Sequence, residues 1–345
     1  PDTVEIDAGG RSVVPGFVDA HTHLVFAGTR REEFSDRAAG RPYEAGGILQ
    51  TVAATRAAPS VHLLEEARAR ADAMIAAGTT TAEAKSGYAL DVEGEIRLLE
   101  VLRELNGTHP LDLEITFCGA HSVPGEFEGS PDDYLDLVCG EMMAACAPLA
   151  RWCDVFCDVG AFTPAQARRV LEAGKSSGLT PRIHANELGS TGGAGVAVQV
   201  GAASADHLLF LRPSEARALA NAGCVAVLAP VTALGLGRTP NVRLMRNAGL
   251  QIALATDLNP GMAPSADLQL VLSIATRTMA MDPEDGLLAI TAGGAAALRR
   301  DDIGRIAPGC LADLVILAGD HHLDLGYHAG TNLAATVIKR GEVVA

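Results

Sequence analysis

The sequence predicts an α/β chain: a TIM (β/α)8 barrel with a small β-sandwich appendage formed by the chain termini. Three observations lead there. Eight strand-like stretches between 17 and 256 alternate with helical stretches, the pattern of a parallel sheet closed on itself. Histidine or aspartate recurs where those strands end. No G-x-G-x-x-G follows the first strand, which disfavours an open doubly wound sheet.

Pro15-Gly16 is a breaker pair, and 17–20 (F-V-D-A) reads as a short buried strand ending in His21-Thr22-His23. Strand side chains two apart share a face, so the two imidazoles project together and can share one first-row metal ion. Residues 25–59, with Gly28, Gly40, Gly46 and Gly47 among many charges, read as a long loop. Arg30, Arg31 and Arg41 in it read singly as solvated surface. Ser60 caps a helix to 77 whose apolar stripe is Leu64, Ala67, Ala71 and Met74, and Gly78 ends it. Strand 79–84 leads into K-S-G-Y, helix 92–106 follows, and strand 111–118 leads into G-A-H. Helix 131–146, strand 153–159 and a Thr163-capped helix to 177 come next. Strand 181–184 runs into H-A-N-E, a small-residue helix spans 191–200, and strand 203–207 ends in A-D-H. Helix 213–222, strand 224–229, helix 241–248 and strand 251–256 lead to Asp257 and N-P-G, before a helix over 265–279.

Two short helices follow from 283, and 312–317 and 334–339 are strands outside the barrel count. The expected division is a barrel over 15–307 and an appendage of 1–14 with 308–345. The chain opens on Pro1, and 1–14 reads as the tail of strands that began earlier, so an incomplete appendage and a shortened chain are expected.

A formal net charge of −15 and an aromatic content of 4% argue against nucleic acid or an anionic membrane surface as partner. No apolar run approaches the ~18 residues of a membrane span, and the N-terminus lacks a signal-like core. The seven cysteines form no C-x-x-C pair. Cys153 and Cys157 read as reduced core thiols, and a cytoplasmic location is expected.

Barrel sites open at the C-terminal strand ends. There the first strand presents His21 and His23, the second leads to Tyr88, the third to His121, the fifth to His184, the sixth to His207 and the eighth to Asp257. Half of the ten histidines thus fall at strand ends, which points to one shared site. His21, His23, His184 and Asp257 suit Zn or Fe(II) with one position left for water, whose pKa such an ion lowers towards ~7. Glu187 is placed to shuttle that water's proton, and His207 to hydrogen-bond the nucleophile or the developing oxyanion. The plainer readings are a core His184, a turn-forming Asp257, a capping Glu187 and a satisfied buried His207. His62, His109, His321, His322 and His328 read as surface, and Lys85 as structural.

Through P-G-F-V-D-A-H-T-H (15–23), His184, His207 and Asp257, the chain resembles the amidohydrolase superfamily. Through H-T-H-L-V-F-A-G-x-R-x-x-E-F (21–34), G-G-I-L-Q-T-V-A-A-T-R (46–56), K-S-G-Y (85–88), G-A-H-S-V-P (119–124), H-A-N-E (184–187), S-A-D-H (204–207) and A-T-D-L-N-P-G (255–261), it is similar to the imidazolonepropionase family. The resemblance covers nearly the whole chain. It implies hydrolysis of 4-imidazolone-5-propanoate to N-formimidoyl-L-glutamate with one divalent ion, Zn or Fe, and a homodimer. It implies His21, His23, His184 and Asp257 as metal ligands and Glu187, His207 and Asp257 in catalysis. Arg30, Tyr43, Tyr88 and His121 are implied in substrate contact, with Asn259 and Gly261 near the product. The chain departs from the family pattern at Asn186 (usually Asp), at Met262 (usually Ser or Thr) and over 231–240. The rival expectations are a nucleobase-type deaminase of the same superfamily and a catalytically impaired, ligand-binding barrel.

Overall fold

The computed structural model describes residues 5–41 and 47–345. β-Branched and small apolar residues dominate its short parallel strands, as burial on both faces requires. They are β2 (Phe17–Asp19), β3 (Thr79–Lys85), β4 (Asp112–Ala120), β5 (Trp152–Cys157), β6 (Thr180–Ala185), β7 (Ser204–His207), β8 (Val225–Leu228) and β9 (Ile252–Leu254). β1 (Val13–Pro15) precedes them, and β10 (Leu314–Leu317), β11 (Ala334–Lys339) and β12 (Glu342–Val343) follow.

Strands β2 to β9 pair in chain order as one eight-stranded parallel sheet. Its ends meet through a parallel bridge between Thr22 and Leu258. There the Asp257 N–H donates to the His21 carbonyl (3.0 Å) and the His23 N–H to the Leu258 carbonyl (2.9 Å). The seam that nearly closes the barrel therefore sets the opening His-x-His beside the acid after the eighth strand. Helix Ala292–Ala297 packs on β2, β8 and β9. Its Gly293 and Gly294 allow this, since side chains there would run into the Ile252 and Val18 carbonyls.

The termini form a separate antiparallel sheet in the order β1-β10-β11-β12, with Val14 opposite Val315 and Val315 opposite Val337. Buried Lys339 joins it to the barrel, reaching Asp313 (2.6 Å) and Asp112 of β4 (2.9 Å).

The 25–59 stretch differs from the expected loop, for it carries helices Arg31–Ala38 and Gly47–Ala57. The first has no buried residue and so no apolar stripe to read, while Glu32 and Glu33 near its start and Arg37 near its end suit the helix dipole. The second buries Gly47, Thr51, Val52 and Thr55, a face too polar in composition to stand out. Ser60 is the first helical residue rather than the cap, which is Pro59. The 131–146 helix is interrupted by a wider π-turn over Val138–Met142. Thr163 does cap its helix, with Gln166 completing a reciprocal capping box.

Candidate active site

Backbone geometry at the strand ends is unusual, and it aims the side chains. Asn186, His207, Leu208 and Asp257 have φ of 53°, 72°, 53° and 51°. Left-handed backbone costs energy for residues other than glycine, and it clusters where function demands a direction. Asn186 tolerates this conformation well, and its side-chain oxygen accepts from Ala194 N–H (3.3 Å) in the first turn of helix Gly193–Val200. That supplies a structural reason for asparagine at this departure from the family pattern.

Four elements bring five donors together. His21 Nε2 lies 3.4 Å and His23 Nε2 3.7 Å from Asp257 Oδ1, and His184 Nε2 lies 3.4 Å from His23 Nε2. An ion about 2.0–2.2 Å from each of several N and O donors in tetrahedral array spaces them by ~3.4 Å. The structure offers two overlapping triplets for such an ion, His21-His23-His184 and His21-His207-Asp257. His21 Nε2 and His207 Nε2 are buried with no hydrogen-bond partner, a costly state unless a cation or a substrate atom meets them.

Charge states fit that reading. Burial, followed by Lys85 for His21, His121 for His23 and His184 for His207, holds these three imidazoles well below their usual pKa. They are neutral, as metal ligands must be. For His184 burial pulls downward, but Asp154 outweighs it and raises the group. Burial lifts Asp257 to about 6. Burial and then Asp257 lift Glu187 to about 8.

Asp154 and Asp206 were given no role in the sequence reading, and both face the histidines. Asp206 Oδ2 accepts from His21 Nδ1 (2.6 Å), and Asp154 Oδ1 from His184 Nδ1 (3.1 Å). A carboxylate can only accept there, so the proton sits on Nδ1, and in the neutral ring Nε2 is the atom left to bind. The available signal was a lone acid inside the apolar strand C-D-V-F-C (153–157). Replacing Asp206 with asparagine is expected to weaken divalent-ion binding roughly 10- to 100-fold, measured by competition with a chromogenic chelator. Thr232, from the 231–240 stretch, was also missed. Its hydroxyl donates to Asp257 Oδ2, leaving Oδ1 towards the histidines.

A cavity opens over these donors, lined also by Arg30, Tyr88, His121, Glu187, Asn259 and Met262. Glu187 Oε2 lies 3.8 Å from His207 Nε2. His121 is bonded through Nδ1 to the Gly87 carbonyl (3.0 Å) and stacks on His23 at 4.6 Å. The loop carrying Tyr88 is tied by the buried Glu95 carboxylate, which accepts from Gly87, Ala89 and Leu90 N–H groups.

Arg30 is buried rather than solvated. Glu33 holds its Nε (2.7 Å) and Nη2 (2.6 Å). Gly261 lies against that guanidinium, where any side chain would collide with it. The Asn259 amide is turned inward, donating to Asp257 O (2.6 Å) and accepting from Gly261 and Met262 N–H (2.9 and 2.8 Å). Met262 touches the Arg37 guanidinium, whose Nη2 donates to the Gly261 carbonyl (2.8 Å). Tyr43 lies outside the described residues. His62, His321 and His328 are exposed, and His109 pairs with Asp72 at 3.0 Å, all apart from this site.

The model of the amidohydrolase family matches residues 12–344. The chain is 46% identical over 98% of its length to an imidazolonepropionase of Mycolicibacterium smegmatis, covering 84% of that protein. It is 48% identical over 97% of its length to one of Streptomyces coelicolor, covering 85%. With one of Geobacillus kaustophilus it shares 47% identity over 98% of its length and 82% of that protein. Among solved structures it is similar in fold to 5-methylcytosine deaminase from Klebsiella pneumoniae, with a TM-score of 0.79, 17% identity, and coverage of 100% of this chain and 89% of that one. It also matches N-isopropylammelide isopropylaminohydrolase from Burkholderia multivorans, at a TM-score of 0.73 and 21% identity, covering 98% of this chain and 87% of that one.

Proposed function

Because the chain belongs to the amidohydrolase family, and within it to the imidazolonepropionases, we propose how its cavity hydrolyses the cyclic amide 4-imidazolone-5-propanoate to N-formimidoyl-L-glutamate in histidine degradation. The observation that carries the reading is the 3.4–3.7 Å spacing of His21, His23 and Asp257 donor atoms beneath a cavity that also presents an arginine.

His21, His23, His184 and Asp257 would hold one divalent ion, Zn or Fe. Such an ion supplies Lewis acidity and makes a nearby water acidic enough to attack at neutral pH. Arg30 binds the propionate carboxylate of the substrate, and Tyr43 is a further substrate contact in the same reading. Tyr88 and His121 hydrogen-bond the ring and hold its carbonyl towards the histidines. Glu187 takes the proton of the attacking water. The new C–O bond forms as the ring C–N bond breaks, and Glu187, or Asp257 in its place, returns the proton to the departing nitrogen. Neutral His207 donates to the carbonyl oxygen as charge develops on it. Asn259 and Gly261 shape the wall that receives the product.

The seven cysteines are all free thiols, which supports a reducing cytoplasm. No helix among the described residues is long and apolar enough to cross a membrane. A homodimer, and the division into a 15–307 barrel with a 1–14 and 308–345 appendage, belong to the same proposal.

Loss of imidazolone absorbance on incubation with the protein tests the activity. Arg30→Ala is expected to raise KM roughly 10- to 100-fold, the worth of a charged hydrogen-bond pair, with a smaller change in kcat. A variant retaining the native KM would remove Arg30 from the substrate's propionate, and a native chain that leaves the imidazolone intact but deaminates a nucleobase would favour the deaminase reading.

A further inference from the structure

Beneath the histidines the barrel interior is ionic. Glu83, Lys85, Asp154, Arg182 and Asp206 are all fully buried. Lys85 Nζ lies 2.8 Å from Glu83 Oε1, 2.7 Å from Asp154 Oδ2 and 4.0 Å from Asp206 Oδ2. Asp154 and Asp206 are the two carboxylates that accept from Nδ1 of His184 and His21. Arg182 lies 3.5 Å from Asp206 Oδ2, but its Nη groups donate to the Ala20 and Ala297 carbonyls (2.6 and 3.1 Å). Lys85 is therefore the cation that holds the Asp154 arm, while Arg182 lies nearer the Asp206 arm.

We propose that Lys85 is a positioning residue for the metal ligands: it orients Asp154 and through it fixes the ring rotation of His184, while the same strand segment holds Thr22 between His21 and His23. This rests on reading those imidazoles as ligands. The Lys85 ammonium grips Asp154 Oδ2 and leaves Oδ1 to accept from His184 Nδ1–H, so the carboxylate is held in one orientation. Without that grip the carboxylate is free to turn, and the imidazole it steers turns with it. Buried ion groups of this kind seldom repay their desolvation as stability alone, so orienting the ligands gives a reason for a cluster that an apolar core would not need. A second set of contacts points the same way. Lys85 N–H donates to the Thr22 carbonyl (3.0 Å), between the two histidines. Glu83 Oε2 accepts from Thr22 N–H (3.1 Å), and the Thr22 hydroxyl donates to the Glu83 carbonyl (2.6 Å). One β3 segment thus holds both the His-x-His backbone and Asp154, the partner of the His184 ring.

The test is Co(II) binding to the chelator-stripped full chain, read by chelator competition and by the ligand-field absorption of the bound ion. Lys85→Met is expected to weaken binding roughly 10- to 100-fold and to alter the absorption bands. The charge-compensated Lys85→Met/Asp154→Asn variant is expected to bind within about twofold of Asp154→Asn alone, because both changes remove one arm of the same support. This pair carries the test should Lys85→Met alone fail to fold. A Lys85→Met protein with native affinity and native bands overturns the inference, even if its metal-free form melts earlier, for that is all a purely structural lysine would do. So does a double variant whose losses multiply. If the native chain takes up no cobalt, or His21→Ala leaves uptake unchanged, the ligand reading itself has failed, and this inference with it.

Discussion

Glu187→Gln is expected to lower kcat by about 10²- to 10⁴-fold, the usual worth of a positioned acid–base group, while KM and metal content stay near native. The carboxylate lines the cavity and lies 3.8 Å from His207, so the amide keeps the shape and loses only the proton carrier. The same group predicts a pH limb. Its ionised form accepts the proton, so activity must rise with pH through its pKa. Burial and Asp257 push Glu187 up to about 8 in the metal-free chain, and a bound cation favours the ionised form. The acidic limb of kcat/KM therefore falls below pH 8 and disappears in Glu187→Gln. Steady-state kinetics from acid to neutral pH checks both points. A native limb in the glutamine variant would assign the proton to Asp257 instead.

His21→Ala carries the other large effect. Its Nε2 is buried and unpartnered by hydrogen bonds, and it belongs to both candidate donor triplets. Its loss should cost more metal affinity than the roughly 10- to 100-fold of an outer partner, and hydrolysis should fall to background at stoichiometric metal. Asp206, whose carboxylate accepts from His21 Nδ1, is left without that partner. Metal analysis after gel filtration reads the loss of the ion, and calorimetric melting of stripped protein confirms that the fold survives.

The barrel was legible because its strands and helices alternate with clear stops. The candidate site was legible because histidine is scarce and marks strand ends. What lay hidden is instructive about polarity. Helix Arg31–Ala38 buries nothing, so no apolar period announces it, yet it carries Glu33, which grips Arg30. Asp154 and Asp206 sit in strands where a single acid looks like an accident until its imidazole partner, distant in sequence, is in view. Lys85 looked like filler at a strand end because its partners arrive from β5 and β7. Arg30 looked like surface because nothing local reveals that Gly47 and Gly261 make room for its guanidinium. Each case turns on contacts between residues far apart in the chain, and hydrophobic periodicity is blind to them.

The most direct measurement is a titration of chelator-stripped protein with Zn or Fe(II), following bound ion and imidazolone hydrolysis in the same samples. If His21, His23, His184 and Asp257 converge on one ion, both signals climb together and level off at a single equivalent per chain. Full hydrolysis by the stripped protein, or a rate that ignores the first equivalent bound, would contradict the account.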